Sequence, residues 1–518
     1  MNKQILIRLL AISTAASVVF GLSACNFGGQ GEQTSATAST SMYTEPTTAE
    51  TSETETEPDK SQVEFKGAKS IGVETTEKKK AYSSKNGDES ALLINGEKKK
   101  VSIATPAVTK SGDSSNTTNS GLFGVNAAVL AMNSAKLYIT GGSITTSGKG
   151  AAGLFAFAGF GKIEGITGDG TRVNISENTI ATKGDDSPAI AATYGATLDM
   201  TKMAVTTDGK NSPAIIVGKD GGTVKITNGV YTTNGLHSPA VTSTGTMTIL
   251  AAKLYANNSE VFIVDDNSKA TLNDCTLTAN NAKRTGKAKF HYGVLLYEQE
   301  AGYFDNNKMA SFSMAGGSLT NKVGHVFHIT NTKGVVNLSG VTIVNEDKEG
   351  VLLSVSPDAW SGNNNVAILN VTNTELSGKI LVAKEGKLTL NLSTGAKFTG
   401  SISGKITDAD GNEISKEPGI THVNLGQGAT WTLTEDTYIT SFSGDMNNVN
   451  LNGHTLNVSG ETTAPTAAPT SKPATVKKPT KKPTKKPTKK PTKKPTKKPT
   501  KAATPTTDPN AQQGQQNP

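Results

Sequence analysis

The chain has 518 residues, 53 of them Gly, with 35% hydrophobic and only 5% aromatic residues. So few aromatics exclude a string of compact globular cores, each of which draws on Trp, Phe or Tyr bulk, and a mean hydropathy of -0.34 with one short apolar run excludes a multispanning membrane protein. The net charge of +8 is a sum of unlike parts: residues 1–25 carry +2, 26–62 carry −6, 63–470 carry −1, and 471–518, with fourteen Lys against Asp508, carry +13. Only Arg8, Arg172 and Arg284 are Arg. Sequence-specific readers of nucleic acid depend on Arg forks, so the basicity belongs to the tail and no specific nucleic-acid partner is expected.

From the N-terminus, Lys3 and Arg8 flank an apolar run from Leu9 to Leu22, the pattern of a secretory signal peptide and too short to span a bilayer. It closes in Leu22-Ser23-Ala24-Cys25, which resembles the lipobox of bacterial lipoproteins. That resemblance implies a signal peptide over 1–24, lipid on the Cys25 thiol, and a membrane-anchored rather than membrane-spanning protein on the outer face of the cell membrane. Residues 26–62 are Thr, Ser, Glu and Gly with almost no large apolar groups. They cannot bury enough surface to fold, and the stretch from Cys25 to 62 reads as a disordered, extended tether.

From about residue 91 one pattern recurs twelve times: two inward-type residues two apart, four residues, then another. Examples are Val101-x-Ile103-x4-Val108, Leu137-x-Ile139-x4-Ile144, Val224-x-Ile226-x4-Tyr231, Phe312-x-Met314-x4-Leu319 and Leu369-x-Val371-x4-Leu376; the last two instances begin at Trp431 and Val449. Period two puts the first pair on one face of a short strand. The four-residue gap breaks that alternation unless the chain turns a corner, and Gly141-Gly142, Asn228-Gly229, Gly316-Gly317 and Asn452-Gly453 supply the residues for one. A third strand follows Ser187-Pro188-Ala189, Ser212-Pro213-Ala214 and Ser238-Pro239-Ala240, spaced 25 and 26 residues apart. Three short strands per coil predict an all-β, right-handed, single-stranded parallel β-helix over 63–460. About fifteen coils, each rising ~4.8 Å, would make a rod of ~70 Å. Val63 to Lys100, with an Asn95-Gly96 hairpin signal, is the expected N-terminal cap. The region 380–460 with Trp431 is the expected cap at the other end. Cys275 has no partner for a disulfide and reads as a small turn or core residue.

Chemistry is sparse. Asp185-Asp186 and Asp265-Asp266 sit at coil corners, where Asp forms turns. Asp408-Ala409-Asp410-Gly411-Asn412-Glu413 has part of a Ca²⁺-loop pattern without its full register, and reads more simply as a hairpin turn. No cofactor is implied, and Ca²⁺ stays open. The richest window is 284–328, where His291 and His325 precede matching strands, so their imidazoles are expected to stack ~4.8 Å apart in successive coils. With Tyr297, Glu298, Glu300 and Tyr303 nearby, this is the candidate ligand-binding cluster. Such a set suits sugar stacking or acid–base work, although His on an exposed polar ladder is the plainer reading. No residue is singled out as catalytic.

Residues 461–518 read as a disordered tail, with six copies of Lys-Lys-Pro-Thr filling 477–500. Pro at every fourth place forbids helix and sheet, and the charge suits capture of anionic cell-wall polymers.

Several segments resemble a family of secreted β-helix proteins: Thr109 to Asn116, Gly124-Val125-Asn126-Ala127-Ala128-Val129-Leu130, Ala192-Thr193-Tyr194-Gly195, Val294-Leu295-Leu296-Tyr297, Phe312-Ser313-Met314, and Trp431-Thr432-Leu433 through Asn452-Gly453-His454. These are adhesin-like, pectin-lyase-fold surface proteins of Gram-positive bacteria, with no established activity. The resemblance implies the fold and a surface location, and it transfers no catalytic residue. The functional expectation is a lipid-anchored, adhesin-like surface protein that binds glycans or envelope and host surfaces. The alternative is a polysaccharide lyase or hydrolase acting near His291 and His325.

Overall fold

A computed structural model describes residues 63–459, except 162–166, 266, 285, 287, 299–307 and 360–363. The lipobox Cys25, the tether to residue 62, the tail from 461, and Asp266, Glu300 and Tyr303 lie outside the described residues. The chain is a parallel β-helix. Each coil lays down a strand on a first face, turns a corner into a second face, and closes through a third. The third face is one 13-stranded parallel sheet running in chain order from Lys66–Ile71 to Ile402–Ser403. The first face and most of the second merge into a 22-stranded sheet, because Ala196–Thr207 and Gly222–Thr233 run through the corner unbroken. Thirteen stacked strands make a rod of ~60 Å, shorter than the fifteen coils expected; the hairpin at 406–415 is one stretch that uses chain without adding a coil.

The corner turns on one left-handed residue or on two in succession. Gly141, Asn228 and Gly316 take φ of 63°, 59° and 65°, as the turn signals required. The same conformation is forced on Thr105, Glu177 and Ala251, at φ 49°, 53° and 53°. Strain of ~1 kcal/mol at such a residue is offset because its N–H continues the inter-coil ladder. Thr105 donates to the Thr140 carbonyl at 2.7 Å and Ala251 to the Asn273 carbonyl at 2.9 Å.

The Ser-Pro-Ala signature builds the corner before the third face. The Ser212 hydroxyl accepts the Ser187 N–H at 2.9 Å and donates to the Gly184 carbonyl at 3.1 Å. Ser238 repeats this one coil on, with Ser212 N–H and the Gly209 carbonyl, both at 2.9 Å. A buried polar column thus stitches coil to coil, and the following Pro has no N–H to satisfy. The Gly three places before each Ser is demanded by contact: a Cβ on Gly209 would stand 1.9 Å from the Gly184 carbonyl oxygen.

The inward positions form one continuous core from Ile71 to Val449. The repeat pattern fills it as expected through Leu376 and then slips. Trp431 falls after the corner, in the column of Leu376, Phe398 and Val449, while Tyr438 and Leu451 are exposed. The first-face core of those coils comes instead from Leu388, Leu390 and Leu392, then Val423 and Leu425. Spacing alone does not set strand phase; Gly428, at φ 78°, places the corner ahead of Trp431. Residues 66–95 are likewise a working coil rather than a cap, because Lys66–Ile71 pairs in parallel with Glu89–Asn95. Asn95-Gly96 forms only a tight turn, with Lys99 N–H on the Gly96 carbonyl at 3.0 Å. Cys275 is a buried free thiol just past a corner, as expected.

Candidate functional site

The outer side of the third face carries its own column, apolar apart from Thr242, which runs Ile216–Thr242–Ile263–Leu295 in successive coils and which His328 and Ser354 interrupt before Leu381 restores it. Outward apolar residues need cover. Near the N-terminal end the helix Thr117–Phe123 provides it, packing Phe123 on Phe157 and Tyr194. Over His328 the cover is the segment 281–290 together with the antiparallel hairpin of Ile406–Thr407 and Glu413–Ser415, which add Ala288, Phe290 and Ile406 to a second apolar cluster. The hairpin turns on Asp408, whose carboxylate accepts the N–H groups of Asp410 and Asn412, the turn role expected of it. An Arg284–Asp410 ion pair and a 3.0 Å bond from Ala409 N–H to the Lys289 carbonyl hold hairpin to segment.

Beneath this cover lies a sealed polar network. Ser354 Oγ is 2.6 Å from Nδ1 of both His325 and His328. His328 Nε2 is 3.1 Å from Asp358 Oδ2, close in distance but off line for a hydrogen bond, so each atom lacks a well-directed partner. Asp358 Oδ1 accepts the N–H of Lys289 and of Ala359, both at 2.6 Å. One hydroxyl proton cannot serve two rings. With His328 Nε2–H facing the carboxylate, Ser354 donates to His328 Nδ1 and accepts Nδ1–H from His325. Tyr292 stacks on His328 with ring centres 5.2 Å apart, and Phe290 lies 4.9 Å from His325. Burial drives the His325 pKa down to about 3, helped by the neighbouring imidazoles. Burial pushes the nearby Glu260 carboxyl up, despite its bonds from Ser259 and Asn281. Serine, imidazole and carboxylate are in the order of a nucleophile relay, yet Ser354, His328 and the Asp358 side chain are closed to water. In this conformation the network ties the cover to three coils.

The two histidines expected to stack do not align. His325 sits opposite Tyr292, one place out of register with His291, because His291 precedes its strand and turns its Nδ1 to the Asn281 carbonyl at 2.7 Å. Tyr297 is buried in the covering cluster, and Glu298 is half-buried, its carbonyl accepting from Asn331. The members that the sequence pattern passed over are His328, Ser354 and Asp358. The signal was a polar residue inside an apolar run, in Val326-Phe327-His328-Ile329 and Leu352-Leu353-Ser354-Val355. Among the described residues no three His, Cys, Asp or Glu side chains are grouped to hold a metal ion.

The exposed faces are of another kind. On the first face one outward column reads Thr248, Thr271, Ser313, Asn337, Asn370, Asn391, Asn424, Ser443. Its amides bond along the axis: Asn337 to the Ser313 hydroxyl at 2.8 Å, then Asn370, Asn391 and Asn424 each to the preceding Asn at 2.7 Å. On the second face the column Thr206, Thr232, Tyr255, Thr278, Thr320 is equally uncharged.

Comparison with protein-family models, curated proteins and solved structures finds no match to this chain.

Proposed function

We propose that this is a lipid-anchored, adhesin-like surface protein whose rod binds glycans or other envelope and host surfaces through its outer faces. The observation that carries the reading is the long, uncharged run of hydroxyls and amides on the first face. A hydrogen-bonding strip without charge, from Thr248 to Ser443, is suited to polyhydroxylated polymers. The lipobox at Cys25 supports attachment at one end, and the Lys-Lys-Pro-Thr tail supports salt-sensitive capture of anionic wall polymers at the other. The sealed Ser354–His328–Asp358 order is what favours the second reading, a polysaccharide hydrolase or lyase near His291 and His325, which requires the cover to lift.

Two measurements test the proposal. Metabolic labelling with palmitate should mark the protein and vanish on Cys25→Ser. The purified mature chain should be retained by at least one immobilised glycan, mucin or cell-wall preparation, and retention by none of them overturns the binding role. Product release from a polysaccharide panel, lost on His291→Ala, would replace it with the enzymatic reading.

A further inference from the structure

The uncharged column on the first face borders a shallow groove that crosses four successive coils. It runs between Thr271, Ser313, Asn337 and Asn370 on one side and Asn273, Ala315, Ser339 and Thr372 on the other. It extends ~14 Å along the rod, and its two rows lie ~7 Å apart along the strands. No residue that lines it carries a charge.

We propose that this groove is a binding site for an extended, uncharged polysaccharide lying parallel to the rod axis. This rests on the glycan-binding reading above and narrows it to one place and one ligand class. Three features select the ligand. First, each ladder amide uses one N–H and one lone pair on its neighbours in the stack. A carboxamide has two N–H donors and two lone pairs, so Asn337 and Asn370 each retain a donor and an acceptor. Vicinal sugar hydroxyls, which both give and take a proton, match such a pair. Second, the pair recurs one coil apart on Asn337 and Asn370, and an equatorially linked pyranose chain advances by a comparable step, so two successive sugars meet equivalent groups. Third, Ala315 is exposed on one wall, which gives the C–H face of a sugar ring a small apolar seat. A uronate or phosphate polymer would find no cation within the groove to offset its desolvation.

The ladder continues past the groove to Asn391 and Asn424, and this separates a binding role from a purely structural one. The mature full-length protein is titrated calorimetrically with cellohexaose, chitohexaose and hexagalacturonate. An uncharged hexasaccharide should bind saturably and hexagalacturonate should not compete in the groove. The double change Asn337→Ala/Asn370→Ala should weaken that binding at least tenfold, and so should Ala315→Arg, which fills the groove while leaving every ladder bond in place. Asn424→Ala removes the same kind of ladder bond, Asn424 to Asn391, wholly outside the groove and should bind as the parent does. The inference is overturned if no uncharged hexasaccharide binds, or if the two groove variants, still folded by circular dichroism, bind like the parent. If the parent is nonetheless retained on glycan, mucin or wall preparations, the broader reading survives; if that retention is also absent, both fail together.

Discussion

Replacing Asp358 with Ala tests whether the sealed network holds the cover in place. The change removes the acceptor of two backbone N–H groups, on Lys289 and Ala359, and leaves the His328 imidazole facing an empty space. An orphaned buried donor costs ~1–3 kcal/mol, and the change orphans two, the N–H groups of Lys289 and Ala359. Because Lys289 belongs to the cover and Asp358 to the rod, most of this cost should appear as local opening of 281–290 and 406–415, with the coils behind them unaffected. A loss of ~3 kcal/mol corresponds to a ~10²-fold rise in amide exchange there. Hydrogen–deuterium exchange followed by mass spectrometry reads it, with strands Lys136–Thr140 and Arg172–Ser176 as internal references. Asp358→Asn keeps a carbonyl acceptor for both N–H groups and should show a smaller rise. Unchanged exchange in the cover, or a rise spread evenly over the rod, would refute the reasoning.

Three further outcomes are expected. His325 is held neutral in the fold down to about pH 3 but protonates near 6.5 when unfolded, so the unfolded state binds more protons in between, and stability should fall by ~1.4 kcal/mol per pH unit as pH drops through that window. Glu260, with a raised carboxyl pKa, acts in the opposite sense and loses stability as pH rises past the ordinary carboxyl value. Urea midpoints measured at ~pH 7 and ~pH 4.5 should converge in His325→Gln, and an acid limb as steep as the parent's would contradict the assignment. Ser212→Ala strips the acceptor from the buried Ser187 N–H and should cost ~1–3 kcal/mol, read as a lower urea midpoint; an unchanged midpoint would mean that the column adds nothing to stability. Gly209→Ala must push apart two backbones whose contact leaves no room for a methyl group, a strain of ~3 kcal/mol or more; soluble expression with a parental melting curve would show the stack to be softer than its spacing implies.

Much of this fold could be read from spacing, because a β-helix repeats one local problem. Period-two core residues, a turn residue after them and Ser-Pro-Ala ahead of the third strand are each short-range demands, and side-chain alternation plus backbone hydrogen bonding dictate them coil by coil. Hence Val101 through Leu376 fell where the pattern put them, and the corner held even where Thr105 or Glu177 stood in for Gly. The reading failed where local signals are degenerate. Trp431 and Tyr438 keep the spacing in the wrong phase, and Asn95-Gly96 makes a turn that only the parallel partner strand shows not to be a hairpin. The functional pattern divides in the same way. By itself the sequence determined a repeating parallel stack of neutral charge ahead of a cationic tail. Only the tertiary structure decided which outward residues meet water. His291 and His325 slip out of register by one residue, the insertion at 281–290 folds back over His328 and Ser354, and four Asn separated by 21 to 33 residues line up as one ladder. Those relations depend on inter-coil register and on the path of insertions, which are set by contacts between distant parts of the chain and leave no short-range trace.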